Sequence, residues 1–193
     1  IGMLSQPAVI DAVADGLDRH GLEKVVLDPV MVAKSGDKLL VDEAVVVLRS
    51  VLLPKAVVVT PNIPEAGVLL GIDEDEIASD PESACRELIA MGARAVLLKG
   101  GHGTGDESTD WLVGNGIVRT FTAPRIPTKN THGTGCTLSS AIAAGLAKGL
   151  DVETAVEQAK AYIAAAIAAA DDLAIGHGHG PVHHFHALWQ AGT

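Results

Sequence analysis

The chain has 193 residues, 48% of them hydrophobic and only 3% aromatic, with a formal net charge of −10. That length supports one sizeable core, and an apolar content carried by Ala, Val and Leu suits helices stacked on buried parallel strands better than an aromatic-rich β-sandwich. The acidic balance argues against nucleic acid or an anionic membrane as a main partner, and no apolar run approaches the ~20 residues of a membrane span.

Residues 1–4 read as the end of a strand. Ser5 is a possible N-cap, Pro7 sits early in a first helical turn, and Val9, Ile10, Val13, Ala14 and Leu17 form a stripe that stops at Gly21. A short β-branched strand over 25–27 runs into Asp28-Pro29. Asp42 is placed to cap the next helix, whose apolar positions are Val45, Val46, Leu48, Leu52 and Leu53. A strand over 56–60 is broken by Pro61, and a short helix over 64–70 follows. Asp80-Pro81 opens another helix that runs to Met91-Gly92, and residues 95–98 form a further buried strand ending at Lys99-Gly100-Gly101.

Residues 111–113 and 117–122 flank Gly114-Asn115-Gly116 as an antiparallel hairpin. Two helices follow near 134–148 and 152–172, the second striped by Val152, Ala155, Val156, Ala159, Tyr162, Ile163, Ala166 and Ile167. Strands alternating with helices predict a single α/β domain over 1–193: a mostly parallel sheet covered on both faces, with one antiparallel hairpin added.

Open α/β sheets bind ligands beyond the carboxyl ends of their strands. Asp28, Asn62, Glu65 and Lys99 each follow one of the predicted strands. Any one of them reads singly as a solvated loop residue, but their shared position makes coincidence a poor account. The sharpest motif is Thr128-Lys129-Asn130-Thr131-His132-Gly133-Thr134-Gly135-Cys136-Thr137-Leu138-Ser139-Ser140, leading into an apolar helix. Glycines at a helix start let backbone N–H groups converge on an anion, and the helix dipole adds positive potential. Such an anion hole suits the oxygens of a transferring phosphoryl group. Cys136 falls in the first helical turn, where thiols become better proton acceptors or nucleophiles. A cysteine-dependent phosphatase would want an Arg shortly after the thiol, and residues 137–149 contain none.

Other nucleotide signatures fail. The stretch Gly100-Gly101-His102-Gly103-Thr104-Gly105 lacks the ending of a P-loop and misses the dinucleotide spacing, which leaves a mobile loop near phosphates or a plain surface turn. The tail His177-Gly178-His179-Gly180-Pro181-Val182-His183-His184-Phe185-His186 has no regular spacing to organise metal ligands, so a structural segment docked in part by Trp189 is the favoured reading over a zinc site. Cys85 and Cys136 make neither a disulfide framework nor a paired-thiol metal motif, and a cytoplasmic location is expected.

The segments Asp28-Pro29-Val30-Met31-Val32-Ala33-Lys34-Ser35-Gly36, Thr60-Pro61-Asn62-Ile63-Pro64-Glu65-Ala66 and Leu97-Leu98-Lys99-Gly100-Gly101-His102 occur in that order. With the motif from Lys129 to Ser139 and the His-rich tail, they resemble hydroxymethylpyrimidine/phosphomethylpyrimidine kinase, a family of the ribokinase-like superfamily. The resemblance implies a three-layer α/β/α fold and transfer of ATP phosphate to hydroxymethylpyrimidine and then to its monophosphate, for thiamine synthesis. It implies that Gly133, Thr134, Gly135 and Cys136 form the catalytic anion hole, with Cys136 assisting removal of the substrate hydroxyl proton. Lys99, Asn62 and Thr131 are implied in nucleotide and cofactor binding, Asp28 and Glu65 in holding Mg²⁺, and Met3 and Val30 in lining the pyrimidine pocket. It also implies a homodimer in the full-length form, and about the amino-terminal third of the family's pattern has no counterpart here, so the sequence reads as a fragment. The rival readings are a pyridoxal or pyridoxine kinase, a non-catalytic nucleotide-binding remnant, and an ATP-dependent hydro-lyase of the same fold.

Overall fold

The computed structural model describes residues 1–31, 39–101 and 105–189. The motif that begins at Asp28 and the glycine-rich stretch 100–105 therefore lie partly outside the described residues. In chain order the elements are α1 (Pro7–His20), β1 (Val26–Leu27), α2 (Asp42–Val47), β2 (Val58–Val59), α3 (Ile63–Leu70), α4 (Glu74–Ser79), α5 (Pro81–Ala90), β3 (Ala95–Leu98), β4 (Glu107–Gly114), β5 (Ile117–Pro124), α6 (Thr134–Ala147) and α7 (Val152–Ala168). They fall into two compact units, Ile1–Thr104 with Ser108–Thr122, and Gly105–Glu107 with Ala123–Thr193.

The first unit carries most of a five-stranded sheet in the order β1-β2-β3-β4-β5. β1 pairs parallel to β2 and β2 to β3, while β3 pairs antiparallel to β4 with Val96 opposite Val113. The predicted parallel sheet with an added hairpin is thus what forms. Asn115 (φ 52°) and Gly116 (φ 79°) make the hairpin turn; two left-handed residues in succession match the twist of the flanking strands, and Asn-Gly adopts them cheaply. Ile1 N–H donates to Val26 O at 2.8 Å and Asp28 N–H to Ile1 O at 2.9 Å, the bond pair of a parallel bridge beside β1. The core gathers Ile10 of α1, Leu27, Val59, Leu69, Leu88, Val96 and Val113 around the sheet. Each fully buried aliphatic side chain contributes roughly 1.5–3 kcal/mol.

Several boundaries differ from the expected ones. Gln6, not Ser5, is the N-cap of α1, because Pro7 fixes the first helical φ and the residue before it becomes the cap. Val41 caps α2, and Asp42 is its first residue, where a carboxylate still meets the positive end of the helix dipole. Val46, expected on the apolar stripe, is exposed. Beyond Val47 the helix continues through a π turn over Leu48–Leu52 and a 3₁₀ turn over Leu53–Lys55. This widening and then tightening carries Leu48, Leu52 and Leu53 inward.

In the second unit α6 and α7 pack as a pair. Gly145 allows the close approach: a Cβ there would lie 2.9 Å from Ala155 Cβ. Leu138, Ile142 and Leu146 of α6 and Ala155, Val156, Ala159, Ile163 and Ala166 of α7 are buried. Asp151 caps α7 by accepting from Thr154 N–H at 2.8 Å, and the expected helix end at 172 is instead a 3₁₀ turn over Ala170–Asp172.

Candidate active site

Parallel strands bring their carboxyl ends to one edge, and in the first unit that edge gathers the charged residues. Thr60 N–H donates to Leu27 O at 2.9 Å and Lys99 N–H to Pro61 O at 2.8 Å, so the ladder continues past each strand. A further parallel bridge joins Asn62 to Lys99. Asp28, only 2% exposed, leaves β1 at this edge. Its Oδ1 accepts from Thr60 Oγ1 at 2.9 Å and from Lys99 Nζ at 2.8 Å. The same ammonium lies 3.8 Å from Glu65 Oε2.

Glu65 is held by the start of α3. Asn62 Oδ1 accepts from Glu65 N–H and Glu65 Oε2 from Asn62 N–H, both at 2.8 Å, a reciprocal capping box. Burial pushes the Glu65 carboxyl above the ordinary glutamate range; Lys99 and the Asn62 backbone pull it back, Asp28 pushes it up again, and the Met31 backbone lowers it. The Asn62 carboxamide oxygen is thus occupied in fixing Glu65. Two residues that sequence reasoning passed over support this cluster. Thr60 orients Asp28, and the buried carboxylate of Asp110 accepts from Gly100 N–H at 2.9 Å, directly after Lys99. Gly100 has no room for a side chain, since a Cβ would meet Thr109 O at 1.9 Å.

Met3 is exposed in the extended segment before α1, and Val30 is half-buried, its N–H donating to Asp28 O at 2.8 Å. Asp28 and Glu65 are hard oxygen donors of the kind Mg²⁺ takes, and Mg²⁺ needs only one or two protein carboxylates besides waters and phosphates. The cluster fits that requirement. No group of three or more His, Cys, Asp or Glu able to hold a metal occurs among the described residues.

The second unit carries the glycine-rich motif. Gly133 is the N-cap of α6 with φ 82°, a left-handed conformation that a side chain would strain. Thr134 Oγ1 donates to Thr131 O at 2.8 Å, and Thr137 N–H closes the first turn on Gly133 O at 2.9 Å. No side chain caps the helix, and among the described residues the Gly135 and Cys136 N–H groups have no acceptor. Cys136 is exposed in this turn, whereas burial pushes the Cys85 thiol up to about 12 and leaves it inert. Thr131, Gly133, Thr134, Gly135 and Cys136 are therefore brought together at one helix start.

Residues 1–183 match the family model for phosphomethylpyrimidine kinase. The chain belongs to this family. It is 55% identical over 195 residues to a hydroxymethylpyrimidine/phosphomethylpyrimidine kinase of Rhizobium meliloti, and 50% identical over 189 residues to one of Escherichia coli. Each alignment covers 98% of this chain and 71% of the relative. A solved ADP complex of Bacillus subtilis pyridoxal kinase superposes with a TM-score of 0.86 at 36% identity, covering 96% of this chain and 69% of that one. The expected ribokinase-like α/β fold and the assignment as an ATP-using kinase with small-molecule partners are thereby borne out. Among the described residues no helix is long and apolar enough to cross a membrane.

Proposed function

We propose that this kinase transfers the γ-phosphoryl group of ATP to hydroxymethylpyrimidine and then to its monophosphate, within one kinase domain acting in the cytoplasm as a homodimer. The observation that carries the reading is the start of α6, where two backbone N–H groups without an acceptor share a turn with an exposed thiol. Phosphoryl transfer needs positioning and charge stabilisation more than covalent chemistry from the protein. The Gly135 and Cys136 N–H groups receive an oxygen of the transferring phosphoryl group. The substrate's hydroxymethyl oxygen forms the new bond to the γ-phosphorus as the bond to the bridging oxygen of ADP breaks. Cys136 Sγ takes the hydroxyl proton and releases it to solvent. In the second step a phosphate oxygen of the monophosphate is the nucleophile.

Lys99 offsets phosphate charge, and Thr131 contributes to nucleotide binding. Asp28 and Glu65 would hold Mg²⁺, with Asn62 keeping Glu65 in place; when bound, the ion neutralises charge on the phosphates. Met3 and Val30 belong to the pyrimidine pocket. Pyridoxal phosphorylation is the second reading, favoured by the superposition on a pyridoxal kinase, but identity is higher to the pyrimidine kinases. Initial rates with ATP and Mg²⁺ for hydroxymethylpyrimidine, its monophosphate and pyridoxal decide between them. The pyrimidines are expected to have the higher kcat/KM, and a clear preference for pyridoxal overturns the assignment.

A further inference from the structure

The loop that delivers α6 contains little to hold its own shape. Gly133 and Gly135 carry no side chains, and the helix has no side-chain cap. Beyond the Thr134 Oγ1–Thr131 O bond within it, the loop is held by segments forty and fifty residues downstream. His132 N–H donates to Gly180 O at 3.0 Å and Val182 N–H to His132 O at 3.2 Å, a parallel bridge one residue before Gly133. Asn130 sits at the centre of this junction. Its Nδ2 donates to Ala170 O at 3.2 Å and Asp171 Oδ1 at 3.0 Å, at the end of α7, while its Oδ1 accepts from Gly180 N–H at 3.0 Å. A carboxamide donates from its nitrogen and accepts at its oxygen, so this one side chain serves both sides of the junction. Thr128 Oγ1 also bonds Asp171 Oδ1 and receives the Asn130 N–H at 3.1 Å.

The downstream segment reaches the first turn of α6 as well. His184 Nε2 lies 3.0 Å from Thr137 Oγ1, and Tyr162 of α7 donates to His184 O at 2.8 Å. Gly180 is moulded to Asn130: a Cβ at Gly180 would stand 2.3 Å from Asn130 Oδ1 and 2.8 Å from its Cγ, and its three nearest atoms all belong to that side chain.

We propose that Asn130 is a positioning residue for phosphoryl transfer, strapping the loop before α6 to residues 180–182 and to the end of α7. Its kinetic consequence rests on the function proposed above; the strap itself does not. Misplacing donors by about an ångström costs on the order of 10²-fold in rate, so the strap acts on turnover more than on nucleotide affinity.

The test compares the enzyme with Asn130→Ala, Gly180→Ala and the double variant, by steady-state kinetics, thermal unfolding and amide hydrogen exchange of peptides spanning 131–137. Asn130→Ala and Gly180→Ala are each expected to lower kcat by roughly 10–100-fold with KM for ATP moved less than about threefold. Because the Gly180→Ala clash is with the Asn130 side chain alone, adding it to Asn130→Ala should cost less than about twofold more. Exchange over 131–137 should quicken in both single variants and no further in the double. Should Asn130→Ala fail to fold, Gly180→Ala alone carries the kinetic and exchange test. Near-normal kcat with a lowered Tm, or Gly180→Ala costing the same in both backgrounds, overturns the proposal. Absence of kinase turnover in the unaltered enzyme would sink the functional reading, while the exchange pattern would still decide the strap.

Discussion

Lys99→Met removes the cation that lies between Asp28 and Glu65 and keeps a stem of similar length. In the native chain the ammonium is 2.8 Å from Asp28 and 3.8 Å from Glu65, with side-chain exposures of 14%, 3% and 5% for Lys99, Asp28 and Glu65. Stripping one partner from a buried pair costs about 3–5 kcal/mol, because the remaining charge stays desolvated. Asp28 retains the Thr60 hydroxyl and Glu65 retains the Asn62 N–H, which places the loss near the lower end, ~3 kcal/mol. For a chain of this size that lowers Tm by roughly 6–12 °C.

The loss should depend on pH. Glu65 already titrates above its ordinary value, so the folded state binds a proton more readily than the unfolded state, and its contribution to stability falls as pH rises through the folded pKa. Without Lys99 that pKa climbs further, and protonation relieves the burial. The deficit of Lys99→Met should be largest where Glu65 is ionised and shrink as pH falls into the range where it is protonated. Adding Asp28→Asn to Lys99→Met should recover part of the Tm. Thermal unfolding across that pH range checks all three expectations; a deficit under ~1 kcal/mol, the size of a surface pair, or one equal at every pH, would refute the argument.

Cys136→Ala should lower kcat on the order of 10²-fold while KM for ATP changes little, since a proton acceptor acts in the transition state. Near-normal kcat in that variant would remove the thiol from the mechanism. Gly145→Ala should lower Tm by a few degrees, because the overpacking against Ala155, about 1–3 kcal/mol, outweighs the ~1 kcal/mol that Ala gains over Gly in a helix. A raised Tm would show that α6 and α7 can part without cost.

Much of this architecture is legible in the sequence where local chemistry is strong. Gly21 stops α1 in a left-handed cap, four buried residues mark β3, and Asn115-Gly116 announces the hairpin. The weak points have physical causes. α4 offers no stripe to detect, as Ile77 is its one buried residue. β1 and β2 are two residues each, set by pairing rather than by length. The candidate residues Asp28, Glu65 and Lys99 are legible by position after strands, but the bonds among them depend on register. Asn62-x-x-Glu65 also spells a capping box, so the signal for a helix start and the signal for a metal-phosphate element coincide there. Asn130 falls inside the sharpest motif, yet its bonds to Ala170 and Gly180 span 40 and 50 positions that no local pattern reveals.

That spacing has a consequence for how the protein is made. The loop from Thr128 to Gly133 is synthesised well before its partners at Gly180 and Val182 exist. At ordinary elongation rates of about 5–20 residues per second, fifty residues take roughly 3–10 s. During that interval the nascent chain already contains the whole glycine-rich motif but not the segment that shapes it. A chain stalled before Gly180 would carry the motif without the segment that shapes it, and the loop takes its bridged geometry only once residues 180–182 exist to pair with His132.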